Sequence, residues 1–181
     1  MHEDFTYALV IYTSDHGDMV GAHRLQMKNG VAYEEVANIP LIVRGGEKGK
    51  TITSPASHID LVPTILDYFD IPLPKVLEGK SFLPQIYDTS LRINDYVFTK
   101  FTRYEVDHDG FGGLQMMRAI INEDYKLVIN LLDTDEFYDM KADPYEVNNL
   151  INDEKTALFH NEMHDELLEN MNRTRDLYRG Y

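Results

Sequence analysis

The chain has 181 residues, of which 43% are apolar and 27% charged, with a net charge of −14 at neutral pH and no cysteine. This length suits one domain or one and a half domains with a buried core, and the negative charge, typical of a solvated acidic surface, opposes binding to nucleic acid. The absence of cysteine excludes disulfides, thiolate metal sites and a cysteine nucleophile within this sequence, and no apolar run reaches the length of a membrane-spanning helix.

Two apolar segments predict strands in the first half of the chain. Residues 8–11 are apolar throughout, with no alternating polar face, which is typical of a strand in a parallel sheet covered on both faces. Residues 39–43 form the second segment, with Pro40 near its start, where a missing N–H is tolerated. Residues 60–69 carry apolar side chains at helical spacing and predict an amphipathic helix capped by Asp60. We therefore predict a parallel α/β portion in this half.

The second half predicts a small antiparallel sheet and a closing helix. Four short β-prone segments predict strands, at residues 96–98, 116–121, 125–129 and 136–139. The turn at residues 122–124 makes the middle two an antiparallel hairpin. From about Asp153 onward the chain is predicted to be helical, with a buried stripe of side chains spaced by four, Phe159, Met163, Leu167 and Met171.

The first predicted strand is followed by a cluster of metal-type ligands. Ligands of open α/β sheets bind beyond the carboxyl ends of strands, and the carboxylate of Asp15 with the imidazole of His16 suits a divalent cation. Gly17 allows a tight turn beside them. Two ligands do not complete a site, and a capping aspartate beside a surface histidine explains the same spacing. Lys28 suits an anionic substrate group, although a lone lysine is usually only solvated.

Ordered blocks over nearly the whole chain resemble the C-terminal portion of type I sulfatases, a branch of the alkaline phosphatase superfamily. The blocks lie at residues 13–17, 21–23, 28, 33–35, 39–42, 57–66, 79–81, 124–127, 137–140, 143–144 and 148–150. The resemblance implies an α/β fold: residues 1–90 would be the C-terminal strands and helices of an alkaline phosphatase-like α/β sandwich. Residues 91–181 would be a small α+β subdomain with an antiparallel sheet and a C-terminal helix.

The resemblance also implies roles for four residues of the first three blocks. Asp15 and His16 match a pair of metal ligands, and the metal is usually Ca²⁺. Many members have Asn where this chain has His16, so Mn²⁺, Mg²⁺ and Zn²⁺ stay open. Lys28 matches the lysine that contacts the sulfate oxygens, where it stabilises developing charge. His23 lies between them and is expected to contact substrate.

Other polar residues carry weaker expectations. Arg103, His108 and Arg118 lie in the variable second part of the chain, from which substrate pockets of the family take side chains. An arginine or histidine in such a pocket can bind a sugar or a carboxylate. Ordinary surface polarity is the alternative explanation for all three. His58 is expected to be a structural histidine near the start of a helix.

The residues that would complete a sulfatase site are absent from this sequence. The family nucleophile is a formylglycine made within a C/S-x-P/A-x-R motif, and the nearest match, residues 54–58, has His58 where arginine is required. The first metal-binding aspartate pair is missing as well. We therefore expect the isolated chain to be inactive and to self-associate through its unpaired strand edge and exposed apolar surface.

Three functions remain open on the sequence. The leading one is the C-terminal portion of a sulfuric ester hydrolase that acts on a sulfated small molecule or carbohydrate. A phosphonate monoester or phosphodiester hydrolase of the same superfamily is the first alternative, and a stand-alone, non-catalytic interaction module is the second. The first residues do not have the pattern of a signal peptide. A periplasmic or secreted location is suggested only by the resemblance, because members of the family are often exported.

Overall fold

A computed structural model describes residues 8–28, 30–46, 48–105 and 113–176, which form two compact units. The first unit comprises the described chain up to Asp15 together with Ile39–Asp95. The second comprises His16–Asn38 and the described chain from Tyr96 onward. The division near residue 90 that the sequence suggested stays a prediction. Within the described residues, no helix is both long and apolar enough to cross a membrane.

The strands of the first unit form a two-stranded antiparallel pair. Strand β1 (Val10–Thr13) lies against β2 (Leu41–Arg44), with Val10 opposite Arg44. The predicted parallel arrangement is therefore wrong for the strands of the described chain. Its basis was that an apolar run indicates coverage of both faces, but such a run does not fix the direction of the neighbouring strand. Along β1 the exposure alternates, so only one of its faces is partly covered.

The amphipathic helix of the first unit forms where the sequence predicts it. A 3₁₀ turn (His58–Asp60) leads into α2 (Leu61–Tyr68), and the backbone N–H of Ser57 donates to the buried Asp60 carboxylate at 3.0 Å. The same carboxylate accepts from the Lys80 N–H at 2.8 Å and from the Asn94 amide at 2.9 Å. Asp60 occupies the predicted cap position of α2, but its side chain makes no capping hydrogen bond there and instead joins three segments. A short helix that was not predicted, α3 (Leu83–Tyr87), follows.

The second unit is built on a four-stranded antiparallel meander. Its strands follow one another in space as in sequence: β3 (Val97–Glu105), β4 (Gly113–Ile121), β5 (Tyr125–Asn130) and β6 (Glu136–Asp139). The predicted β4–β5 hairpin is confirmed, with Ile121 opposite Lys126. A short helix, α1 (Glu34–Ala37), also belongs to this unit.

The closing helix packs on this sheet. Helix α4 (Ala157–Arg173) contributes three side chains to a core cluster of buried residues, Ile120, Leu127, Phe137, Met163, Leu167 and Met171. The predicted stripe is confirmed at its three C-terminal positions. Phe159 is 41% exposed, although its ring stacks on Tyr125 with 5.0 Å between centroids. Arg118 on β4 is buried and donates to both carboxylate oxygens of Asp176 at 2.7 and 2.8 Å.

The first unit exposes apolar side chains on both its strands and its helix. The exposed set is Val10, Tyr12, Leu41 and Ile42 on the strands, Val62 and Ile65 on α2, and Phe69 directly after α2. Tyr12 and Phe69 are each 64% exposed. A two-stranded pair has little stability alone, and exposed apolar surface of this kind marks an interaction site or an aggregation hazard.

We expect the isolated chain to self-associate through this surface. Its apparent mass in light scattering after gel filtration should rise with concentration, and the double substitution Ile65→Lys, Phe69→Lys should suppress the rise because it charges the apolar face of α2. Leu158→Lys is the matched control, since Leu158 is an exposed apolar residue of α4 in the second unit. A monodisperse and highly stable wild-type monomer would contradict the prediction.

Candidate functional site

The predicted metal ligands follow directly after β1. Asp15 is exposed and belongs to the first unit, whereas His16 is half-buried and begins the second. Nδ1 of His16 lies 2.7 Å from the carbonyl oxygen of Gly17. A neutral imidazole that donates from Nδ1 carries its lone pair on Nε2, which is a form in which histidine binds metals.

Gly17 is required for a reason other than the predicted tight turn. A Cβ atom at this position would lie 1.9 Å from the carbonyl oxygen of Glu35. The Gly17 N–H also donates to the Val36 carbonyl at 3.0 Å. The glycine therefore lets the chain after His16 pack directly against the backbone of α1.

A histidine of the first unit contacts the backbone just before Asp15. Nε2 of His58 lies 2.7 Å from the carbonyl oxygen of Ser14. No sequence pattern indicates this contact, because the partner is a backbone carbonyl 44 positions away. His58 is thus structural, as expected, but its contact holds the residue that precedes a predicted metal ligand.

The cation site predicted at Asp15 and His16 stays a prediction. Among the described residues, no group of three or more metal-binding side chains is close enough to hold an ion. One carboxylate and one imidazole fall short of the six to eight oxygens that Ca²⁺ prefers and match a mixed O/N site such as that of Mn²⁺ or Zn²⁺ more closely. Any complete site would need further donors.

The loop that follows is closed and carries His23 and Lys28. The N–H of Met19 donates to the carbonyl oxygen of Met27 at 3.1 Å, and the Met19 side chain is buried. A 3₁₀ turn (Ala22–Arg24) within the loop holds His23, which is half-buried with a left-handed backbone at φ 51°. Lys28 comes immediately after the closing hydrogen bond, and its side chain is exposed. Within the part of the chain that the structure describes, its ammonium has no hydrogen-bonding partner.

The His23 ring rests on an aromatic network. It stacks on Tyr33, with 3.9 Å between ring centroids and 6° between ring planes. The Tyr33 ring packs on that of Tyr138, with 6.3 Å between ring centroids and 54° between ring planes, and Tyr138 donates to Glu136 at 2.9 Å. Burial, followed by the charge of Glu136, raises the pKa of Tyr33 and also that of Tyr138. Both phenols therefore stay protonated near neutral pH.

A buried lysine anchors the segment after Lys28 to the sheet. Nζ of Lys126 on β5 lies 2.7 Å from Oε1 of Glu34 and 2.8 Å from Oε1 of Glu146, and it donates to the Ala32 carbonyl at 2.8 Å. The Lys126 and Glu146 side chains are each only 1% exposed. The second Glu146 oxygen accepts from the Glu34 N–H at 2.7 Å. Burial raises the pKa of Glu146, and Lys126 opposes this shift.

This ionic cluster is a feature that the sequence reasoning missed. The three side chains come from α1, β5 and the segment after β6, so no short-range spacing brings them together. The contact between Nζ and Oε1 of Glu146 is a close ion pair, but it lacks the alignment of a hydrogen bond. A lysine within an otherwise apolar strand, next to Leu127 and Val128, was the one available sign.

The structure leaves two of the remaining predicted substrate contacts untested and gives the third residue an ion-pair partner. Arg103 lies on β3 opposite Gln115 of β4, and His108 lies outside the described residues, so their proposed contacts with substrate stay predictions. Arg118 is buried and forms an ion pair with Asp176, so its alternative explanation as ordinary surface polarity is wrong.

Comparisons with known proteins agree on one family. The family profile described as N-sulphoglucosamine sulphohydrolase, C-terminal, matches residues 21–173. An Escherichia coli (strain K12) protein named Uncharacterized sulfatase YidJ is 43% identical over 174 residues, which is 95% of this chain and 34% of that protein. The chain therefore spans about a third of the length of this relative.

Solved structures share the fold. The structure of BT4656 in complex with its substrate D-glucosamine-2-N,6-O-disulfate aligns with a TM-score of 0.83 and 28% identity, over 93% of this chain and 35% of that one. The phosphonate monoester hydrolase of Agrobacterium radiobacter aligns with a TM-score of 0.78 and 24% identity, over 92% of this chain and 35% of that one. The second likeness shows the fold alone.

Proposed function

Because the chain belongs to the sulfatase family, whose C-terminal region it matches, we propose that it is the C-terminal part of a sulfuric ester hydrolase. The observation that carries the proposal is the exposed ammonium of Lys28 just after the hydrogen bond that closes the loop, which has no hydrogen-bonding partner among the residues that the structure describes. Sulfuryl transfer increases negative charge on the oxygens of the transferred group and the leaving group, and a fixed cation stabilises that charge. In this proposal Lys28 binds the sulfate oxygens and His23 contacts the same substrate.

Asp15 and His16 would hold a divalent cation together with donors from the rest of the enzyme. When bound, the cation would supply positive charge beside the sulfate and lower the pKa of a bound nucleophile. The nucleophile, expected to be a formylglycine, lies outside this sequence. His58 would keep the Ser14 carbonyl in place and so limit the motion of the backbone that leads to Asp15.

A sulfated carbohydrate is the substrate class that we favour. Support comes from the match to the N-sulphoglucosamine sulphohydrolase profile and from BT4656, whose structure was solved with its substrate D-glucosamine-2-N,6-O-disulfate. Arg103 and His108 are the candidates in this chain for contacts with the sugar or its carboxylate. The periplasm or the extracellular space would suit such a substrate.

The decisive experiment begins with the reading frame upstream of the Met1 codon. We expect an open frame that encodes paired aspartates and a C/S-x-P/A-x-R motif, and we expect its purified product to hydrolyse 4-nitrophenyl sulfate. The 181-residue chain alone is the matched control and should show no turnover. A stop codon directly upstream would instead favour a stand-alone interaction module.

A phosphonate monoester or phosphodiester hydrolase is the second candidate. Two observations favour it: the imidazole of His16 at a predicted metal position, and the fold shared with a phosphonate monoester hydrolase. Comparing kcat/KM for 4-nitrophenyl sulfate and 4-nitrophenyl phenylphosphonate in the same preparation separates the two. A preference for the phosphonate would overturn the sulfatase assignment.

A further inference from the structure

The backbone around His23 is strained in a way that needs support from outside the loop. Val20, His23, Arg24 and Met27 all have positive φ, between 44° and 63°, although none is glycine. Such conformations persist only where surrounding contacts hold them, and they cluster at functional sites. The loop supplies some of this support through its own hydrogen bonds, including Gly21 N–H to the Leu25 carbonyl at 2.9 Å.

Outside its own loop, the His23 ring contacts Tyr33 through its face. The stacked Tyr33 ring fixes the plane of the imidazole, whereas both ring nitrogens lie in that plane and direct their hydrogen bonds away from the stack. Within the described ranges of the chain, neither nitrogen has a hydrogen-bonding partner. A structural histidine normally uses at least one nitrogen, as His58 does with the Ser14 carbonyl.

Tyr33 itself packs against a buried tyrosine that polar contacts hold in place. The Tyr33 and Tyr138 rings lie with 6.3 Å between their centroids, and the buried Tyr138 donates to Oε2 of Glu136. The other oxygen of Glu136 accepts from the Asn130 amide at 2.9 Å. Asn130 ends β5 and Glu136 begins β6, so the orientation of the Tyr33 ring is fixed by the sheet.

We propose that Tyr33 is a positioning residue for the substrate-contacting His23: its ring holds the imidazole in one plane, so that a ring nitrogen meets the anionic group bound by Lys28. This inference rests on the proposed function, since it assigns His23 to the same substrate. It adds the part played by Tyr33, Tyr138 and Glu136, which in this proposal act through His23. Preorganisation of a hydrogen-bonding group in this way raises kcat more than it changes substrate binding.

The test is a double-mutant cycle in the full-length enzyme with 4-nitrophenyl sulfate. Tyr33→Leu removes the aromatic face and should lower kcat roughly 10- to 100-fold with little change in KM. Tyr33→Phe keeps the face and should restore kcat to within about threefold of wild type. In a His23→Ala background, Tyr33→Leu should cause no further loss, because the group that it positions is gone.

The matched control is Tyr125→Leu, which removes a stacked tyrosine from the core of the same unit. It should lower stability and leave kcat unchanged. Unchanged kcat in Tyr33→Leu, or a further loss in the His23→Ala background, would overturn the proposal.

A second readout does not depend on turnover. In the same full-length protein with ¹³Cε1-labelled histidine, the stacked Tyr33 ring should shift the His23 Hε1 resonance upfield, Tyr33→Phe should keep the shift and Tyr33→Leu should remove it. A wild-type enzyme that has this shift but no sulfatase activity would refute the proposed function and confirm the stack. An unshifted resonance in an active enzyme would refute the positioning role and leave the proposed function standing.

Discussion

Lys28→Ala is expected to lower kcat/KM of the full-length enzyme for aryl sulfates by roughly 10²- to 10³-fold, the loss typical of removing one preorganised charge-stabilising group. The ammonium lies just after the hydrogen bond that closes the loop, and it is not neutralised by any carboxylate of the described chain. In the proposed function its full charge would therefore act on the transferred group. Since charge on the substrate oxygens grows in the transition state, most of the loss should be in kcat.

Two comparison variants make this prediction specific. Lys28→Arg keeps the charge on a longer, planar group and should recover only part of the activity. Lys75→Ala removes an exposed lysine of the first unit and should behave like the wild type. If Lys28→Ala retained its kcat/KM, the sulfate-binding role of Lys28 would be wrong, and a solvated lysine would be the remaining explanation.

Lys126→Met should destabilise the chain by about 3–5 kcal/mol, the range observed when one partner of a buried ion pair is removed. Methionine fills much the same volume, so the loss comes from the charges and not from a cavity. The Glu146 carboxylate would stay buried without its cation, and Glu34 and the Ala32 carbonyl would lose a donor. Urea unfolding followed by far-UV circular dichroism measures the change.

The matched control for this variant is Lys100→Met on β3. Lys100 is 66% exposed and lies 3.8 Å from Asp176, so its removal should change stability by less than about 1 kcal/mol. Equal effects of the two substitutions would show that the buried cluster contributes no more than a surface pair.

The loss in Lys126→Met should also depend on pH. Burial already raises the pKa of Glu146, and without Lys126 nothing opposes the shift as strongly, so the pKa rises further. A carboxyl with a raised folded-state pKa binds its proton more tightly in the folded protein, so its contribution is present in acid and is lost as the pH rises through that pKa. The deficit relative to wild type should therefore be smaller near about pH 5 than near about pH 8. A deficit that did not vary with pH would point to packing as its cause.

Local patterns were sufficient for the elements whose periodicity is strong. The helical spacing of residues 60–69 and the hairpin turn between β4 and β5 depend on neighbours in sequence, and both predictions are confirmed. The direction of β1 was wrong because it depends on which distant segment pairs with it. The helices α1 and α3 were missed because four or five residues carry too little periodicity to detect.

The candidate site likewise has residues that the sequence could identify and contacts that it could not. Lys28 and His23 could be singled out because a family resemblance marked them, and their catalytic roles stay predictions. The stacking of Tyr33 on His23 and the contacts of Lys126 with Glu34 and Glu146 could not be anticipated. Each of these contacts joins residues far apart in sequence or depends on side-chain orientation. A single sequence, taken alone, carries no record of such pairs.

The ion pair between Arg118 and Asp176 limits how far the C-terminus can be trimmed. Asp176 follows α4, and its carboxylate is the bidentate acceptor for a guanidinium in the middle of the sheet. A truncated chain that ends at Arg173 would keep the whole of α4, but the Arg118 guanidinium would lose its carboxylate partner. Expression boundaries, fusion junctions and protease sites are therefore better placed beyond Asp176 than at the visible end of the helix.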